Sequence, residues 1–173
     1  VSKKKPHVSY NSGNTEWYTP PEIIEAARRV LGEIDLDPAS SEAANVVVKA
    51  KRIYTQEDSG LLHPWTGRVW LNPPYSAGLV REFVGKLGRE YDSGNVRAAI
   101  VLVNNATETQ WFRMLVEIAS AICFPTGRIK YWRMEGSMLT PLQGQALLYI
   151  GDDVEKFRKV FGGFGWVTKI DGR

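Results

Sequence analysis

Cysteine is almost missing from this chain. Cys123 stands alone, so no disulfide can form within it, and its apolar setting, Ala121-Ile122-Cys123-Phe124, gives it the part of a small buried hydrophobe. Histidine is nearly as scarce. His7 and His63 lie far apart with no cysteine beside them, and no metal site can be read from ligand spacing. A zinc-dependent nucleobase deaminase, which needs a Cys-x-x-Cys pair, is excluded on the same ground. Long hydrophobic runs are lacking too. The longest, residues 98–103, falls far short of the roughly 20 apolar residues that a bilayer requires. Behind the opening Val-Ser-Lys-Lys-Lys there is no apolar stretch, so no segment reads as a signal peptide. The expectation is a cytosolic protein with no membrane partner.

What is present suits one ordinary α/β domain. The chain has 173 residues with 43% hydrophobic residues, enough for a real core. Net charge is +3 and the sequence pI about 9.0. That balance fits a polyanionic partner, but it is shared by many proteins that have none. Residues 1–15 are polar and read as a flexible basic arm, either a plain tail or a contact to phosphate. Residues 16–173 read as a single domain.

Thr19-Pro20-Pro21-Glu22 signals a helix start, with Thr19 as cap and Pro20 at the first helical position. Ile23, Ile24, Ala27, Val30 and Leu31 share one face of that helix, and Gly32 stops it. Ile34-Asp35-Leu36-Asp37-Pro38 reads as a short strand ending at proline. Residues 40–50 suit a short helix capped by serine, residues 51–55 a short strand, and residues 56–66 a loop. Arg68-Val69-Trp70-Leu71 is a strand running into Asn72-Pro73-Pro74-Tyr75, and an amphipathic helix follows. The apolar run at 98–103 reads as a strand buried on both faces of a parallel sheet. Thr107-Glu108-Thr109-Gln110 reads as a capping box. Residues 121–124 form the next strand. Residues 127–132 and 145–150 are expected to pair as a final pair of strands. Asp152 is expected to cap a helix to about residue 161, with an edge strand at 166–170. Strands alternating with helices imply a doubly wound α/β sheet with helices on both faces. Asp37-Pro38 and Asn72-Pro73-Pro74-Tyr75 both fall at carboxyl ends of strands, where such sheets bind ligands.

Asn-Pro-Pro-Tyr at such a place suits one kind of chemistry. A planar exocyclic amine is a poor nucleophile because its lone pair is spread into the ring. The Asn72 side-chain oxygen and the Pro73 carbonyl can accept its two hydrogens and favour a pyramidal nitrogen. Pro73 and Pro74 stiffen the loop, so these acceptors are placed in advance. Tyr75 offers a flat face on which an extruded base can stack. The competing reading makes Tyr75 a core residue that props the loop.

Four blocks then occur in one order: Trp17-Tyr18-Thr19-Pro20-Pro21-Glu22, Asp35-Leu36-Asp37-Pro38, Tyr54-Thr55-Gln56-Glu57-Asp58-Ser59-Gly60-Leu61 and Trp70-Leu71-Asn72-Pro73-Pro74-Tyr75. Together they resemble the small phage-type DNA N6-adenine methyltransferases, from about residue 17 to residue 150. Residues 105–112, and Gly127-Arg128-Ile129-Lys130 followed by Pro141, add to the likeness. The resemblance implies a Rossmann-like methyltransferase sheet. It implies S-adenosylmethionine as cofactor, S-adenosylhomocysteine as product, and DNA with its target base extruded as partner. It places Asn72, Pro73, Pro74 and Tyr75 on the target amine. Trp17, Thr19, Pro20, Asp37 and Pro38 would lie at the cofactor, and Asp58 against its adenosine half. For Trp17 core packing competes with this role, and for Asp58 a local turn with Gly60.

One departure from many methyltransferases stands out: Asp37-Pro38-Ala39-Ser40-Ser41 has no glycine. Asp37 therefore ends either the first strand of such a sheet or the second, where a carboxylate takes the ribose hydroxyls. Asp35 is open between a cofactor role and a strand residue or cap. Arg128, Lys130 and Arg133, interleaved with Tyr131 and Trp132, suit a DNA backbone or an edge strand guarded by charge. RNA, the cytosine amine and a protein glutamine amide fit the motif as well as adenine does. The absent glycine loop also leaves room for a fold that only binds DNA. Neither a recognition sequence nor an oligomeric state can be read.

Overall fold

The computed structural model describes residues 18–75, 78–132 and 138–171; the arm at residues 1–15 lies outside them. The apolar run is the middle of a strand, Val96–Asn104. Its side chains alternate between two cores: Ala99, Val101 and Val103 join one, Ile100 and Leu102 the other. With both faces covered, this strand has no polar side to display.

In chain order the elements are α1 (Pro21–Leu31), β1 (Leu36–Asp37), α2 (Glu42–Val48), β2 (Arg52–Ile53), β3 (Gly67–Leu71), α3 (Leu79–Asp92), β4 (Val96–Asn104), α4 (Gln110–Ile118), β5 (Ala121–Pro125), β6 (Tyr131–Trp132), β7 (Met138–Leu139), β8 (Gln145–Ile150), α5 (Val154–Phe161) and β9 (Gly165–Lys169). Seven strands form one sheet in the order β2-β1-β3-β4-β8-β5-β9. The first four are parallel to one another, whereas β8 runs antiparallel to both β4 and β5, and β9 antiparallel to β5. Helices α3 and α4 cover one face, α1, α2 and α5 the other. The doubly wound Rossmann-like architecture is therefore present. Tyr149, Phe157 and Phe161 stack in series at 5.2 and 4.6 Å between centroids and tie α5 to the sheet; each such pair adds about 0.5–1.5 kcal/mol beyond its buried area.

Several boundaries differ from the sequence expectation for local reasons. Helix α1 starts one residue late: Pro20 is its cap, without a side-chain cap bond, and Pro21 takes the first helical position. A residue before proline is held extended, and Pro20 is, at φ −62° and ψ 145°. Thr19 is buried instead of capping. In α4 the cap is Thr109, whose Oγ1 accepts from the Phe112 N–H at 3.3 Å. In α5 it is Asp153, accepting from the Lys156 N–H at 3.0 Å.

The larger correction concerns the two late strands. Residues 127–132 do not pair with 145–150. Tyr131–Trp132 pairs with Met138–Leu139 in a separate ribbon, and β8 is threaded between β4 and β5. All six positions of β8 are buried. Such a run needs a strand on either side and cover on both faces, which a two-stranded ribbon cannot supply.

Candidate active site

From β1 the chain passes through α2 to β2 on one side, then returns to β3 on the other side of β1. Connections leaving in opposite directions open a crevice at the carboxyl ends of β1 and β3. The strands are in register at Leu36↔Val69, so Asp37, ending β1, and Asn72, following β3, border the same opening. Asp37 ends the first strand of the sheet, beside β3, with β2 outside it.

Asp37 is 3% exposed. Burial pushes its carboxyl up to about 7; hydrogen bonds from the Ser40 side chain and the Ala39 N–H pull it down only in part. Its carbonyl accepts from the Tyr54 N–H at 3.1 Å, and Tyr54 accepts from the Ser40 N–H at 2.8 Å, which fastens this turn to the end of β2. Gly60 packs so tightly on Pro38 that a Cβ there would lie 2.2 Å from the Pro38 carbonyl oxygen, and only glycine permits that approach. Trp65, fully buried, donates its Nε1–H to the Gly60 carbonyl at 2.7 Å and holds it in place.

Asp35 points its carboxylate away into an ion cluster. Its Oδ2 lies 2.8 Å from Arg68 Nε and 2.9 Å from the Arg68 N–H, and its Oδ1 lies 3.1 Å from Lys51 Nζ. Its partial burial opposes ionisation, but these bonds outweigh it and hold the carboxyl well below the usual range. Asp58 is exposed on the loop after β2. Its Oδ1 lies 2.5 Å from His63 Nε2, and the His63 ring stacks on Tyr54 at 4.4 Å. The sequence reading missed His63 because it weighed histidine only as a metal ligand.

In Asn72-Pro73-Pro74-Tyr75, Pro73 is buried and the other three are half-buried. No hydrogen bond joins the Asn72 side chain to another described residue. The Tyr75 hydroxyl accepts from the Asn104 N–H at 2.6 Å, and its ring meets Trp111 at 6.3 Å and 66°. Burial, and then the Tyr131 phenol, push the Tyr75 hydroxyl well above its ordinary range.

Residues 8–150 match the family model of the DNA N-6-adenine-methyltransferases (Dam). The chain belongs to this family. A DNA N-6-adenine-methyltransferase of Escherichia phage T1 is 35% identical to it over 99 residues, 56% of this chain and 38% of the phage protein. The chain thus matches well under half the length of that relative.

In this Dam-family chain the entry to α1 is joined to the β6–β7 ribbon. Tyr18 and Trp132 exchange backbone hydrogen bonds of 3.2 and 3.1 Å, their rings lie 4.7 Å apart, and Trp132 Nε1–H donates to the Thr19 carbonyl at 3.2 Å. Pro20, buried, lines a cavity of about 290 Å³ together with Arg128, Lys130, Ile23 and Met138. Pro20, expected at the cofactor, and Arg128 and Lys130, expected at DNA, thereby line one cavity. Arg128 and Lys130 are exposed on irregular chain before β6, not on a strand. Gln145, buried at the start of β8, clamps that segment: its Oε1 accepts from the Ile129 N–H at 2.9 Å and its Nε2 donates to the Gln143 carbonyl at 2.7 Å. Its one sequence signal was a lone amide opening an apolar run. Trp17 and Arg133 lie outside the described residues. Among the described residues no helix is long and apolar enough to cross a membrane.

Proposed function

We propose that this chain transfers a methyl group from S-adenosylmethionine to the exocyclic amine of an adenine in DNA. The observation that carries this reading is the placement of the buried carboxyl of Asp37 and of Asn72-Pro73-Pro74-Tyr75 at the carboxyl ends of adjacent, parallel β1 and β3. Family membership narrows the acceptor to adenine in DNA. When bound, the cofactor supplies an electrophilic methyl on a sulfonium.

The residues present fit such a ligand. Asp37 offers buried acceptors to its hydroxyl or amino donors. Pro38, Thr19, Pro20 and Trp17 would line its place, and Asp58 would reach its adenosine half. Across the crevice, the Asn72 oxygen and the Pro73 carbonyl accept the two amine hydrogens and direct the nitrogen lone pair toward the methyl. Tyr75 gives the extruded base a face. The Asn72 amide has no competing partner among the described residues, which leaves its oxygen free for this task. Arg128, Lys130 and Arg133 would carry phosphate contacts.

Transfer of labelled methyl to unmethylated DNA, RNA and protein, with mapping of the modified bases, tests the reading. Label is expected on N6 of adenine in DNA, with S-adenosylhomocysteine released. Asn72→Ala should keep cofactor affinity and lose about 100- to 1000-fold in rate. Label in RNA or protein alone, or a near-normal rate for Asn72→Ala, would overturn it.

A further inference from the structure

Strand β4 is longer than its neighbour. Its last pair with β3 is Leu71↔Val101, yet it runs on beside β8 to Asn104↔Gln145. Beyond Val101 the β3 side offers no further strand partner. The Asn104 N–H donates instead to the Tyr75 hydroxyl, at 2.6 Å. Pro73 and Pro74 have no N–H, so the loop after β3 is poor in donors with which to fasten itself. A second contact comes from the start of α4, the next element. Trp111, in the first turn of α4, sets its ring at 66° to Tyr75, and is itself braced by Phe112 at 5.7 Å.

We propose that the Tyr75 hydroxyl and the Trp111 ring are positioning groups that fix the Asn72-Pro73 acceptors, by bolting the loop after β3 to the end of β4 and the start of α4. This rests on the amino-methyl transfer proposed above. The hydroxyl thus has a task separate from the face that would stack on a base. A misplacement of about 1 Å at a reacting centre can cost on the order of 100-fold in rate, so a loop that cannot anchor itself needs such a bolt.

Tyr75→Phe separates the two tasks, because phenylalanine keeps the face and removes only the hydroxyl that accepts from the Asn104 N–H. In amide exchange of the full chain, the Asn104 N–H of Tyr75→Phe should exchange about ten-fold faster, with residues 99–102 unchanged. In methyl transfer kcat should fall about ten-fold, with KM for DNA unmoved. Trp111→Ala should lower kcat in the same way, and Trp111→Phe should restore it by keeping an aromatic ring there. Unchanged exchange at Asn104, or a normal kcat for Tyr75→Phe, overturns the proposal. A fall in Tm with kcat intact does so too, since it marks a merely structural bond. Should the wild-type chain not methylate DNA, the proposed activity fails by itself. The exchange at Asn104 still decides whether the hydroxyl holds the loop.

Discussion

Asp37 sets the folded state a problem that its own solvation would otherwise solve. An aspartate in the unfolded chain titrates near 3.9, while burial lifts this one to about 7. Below about pH 4 both states hold the proton and the group is neutral to stability. As pH rises further, the unfolded chain releases it and the folded chain keeps it, so stability falls. The loss is complete above about pH 7 and amounts to at most about 4 kcal/mol. Asp37→Asn removes this slope. Without cofactor, its Tm should exceed the wild-type value at pH 8, and the two should converge near pH 4. Its cofactor affinity should drop by about 1.5–3 kcal/mol, the worth of a charged acceptor. Thermal melts across pH and a cofactor titration check both; a variant less stable than wild type at pH 8 would mean that the carboxylate supports the fold. The positions of Asp37 and Asn72 at strand ends were legible because each stands just before a proline, Asp37 closing β1 and Asn72 following β3. The Asn104 partner of Tyr75 was not, since it comes from a different strand, and no local pattern marks an amide that has outrun its neighbour.

At the level of elements, the crevice depends on a contact between two loops. Gly60 sits in a 3-10 turn, Gly60–Leu62, and presses on Pro38. A methyl group there cannot yield to a flexible side chain, because what it meets is backbone oxygen. Gly60→Ala should cost about 1–3 kcal/mol through forced backbone shifts, and weaken cofactor binding by moving the turn after Asp37. Denaturant unfolding together with the titration would reveal it, and unchanged values for both would dissociate Gly60 from the site. Helices were legible from their apolar faces, but their caps moved by one or two residues wherever neighbouring residues competed for the role. Beside a proline pair, the second proline decided. The pairing of β8 was illegible because order along the chain suggests neighbours, whereas burial on every side selects the centre of a sheet.

For the molecule as a whole, a net charge of +3 does not say where a polyanion would lie. Arg128 and Lys130 are exposed beside Pro20, near the entry to α1. If they meet phosphate, Arg128→Ala and Lys130→Ala should each weaken DNA binding uniformly across sequences. Each should also reduce the slope of log affinity against log salt by about 1. Titrations at several salt concentrations test this, and an unaltered slope would remove the pair from the DNA surface.

The placement of β8 also orders events in time. Strand β5 has only β8 and β9 as neighbours in the sheet, and both come later in the chain. While a ribosome extends the chain at about 5–20 residues per second, β1 to β4 can assemble in turn, but β5 emerges with nothing to pair with. It waits until residue 150 is out, a delay of roughly 1–5 s at that rate. During that interval the nascent chain carries an apolar segment with two open edges; β8 then fills the gap between β4 and β5, and β9, later still, covers the edge that remains.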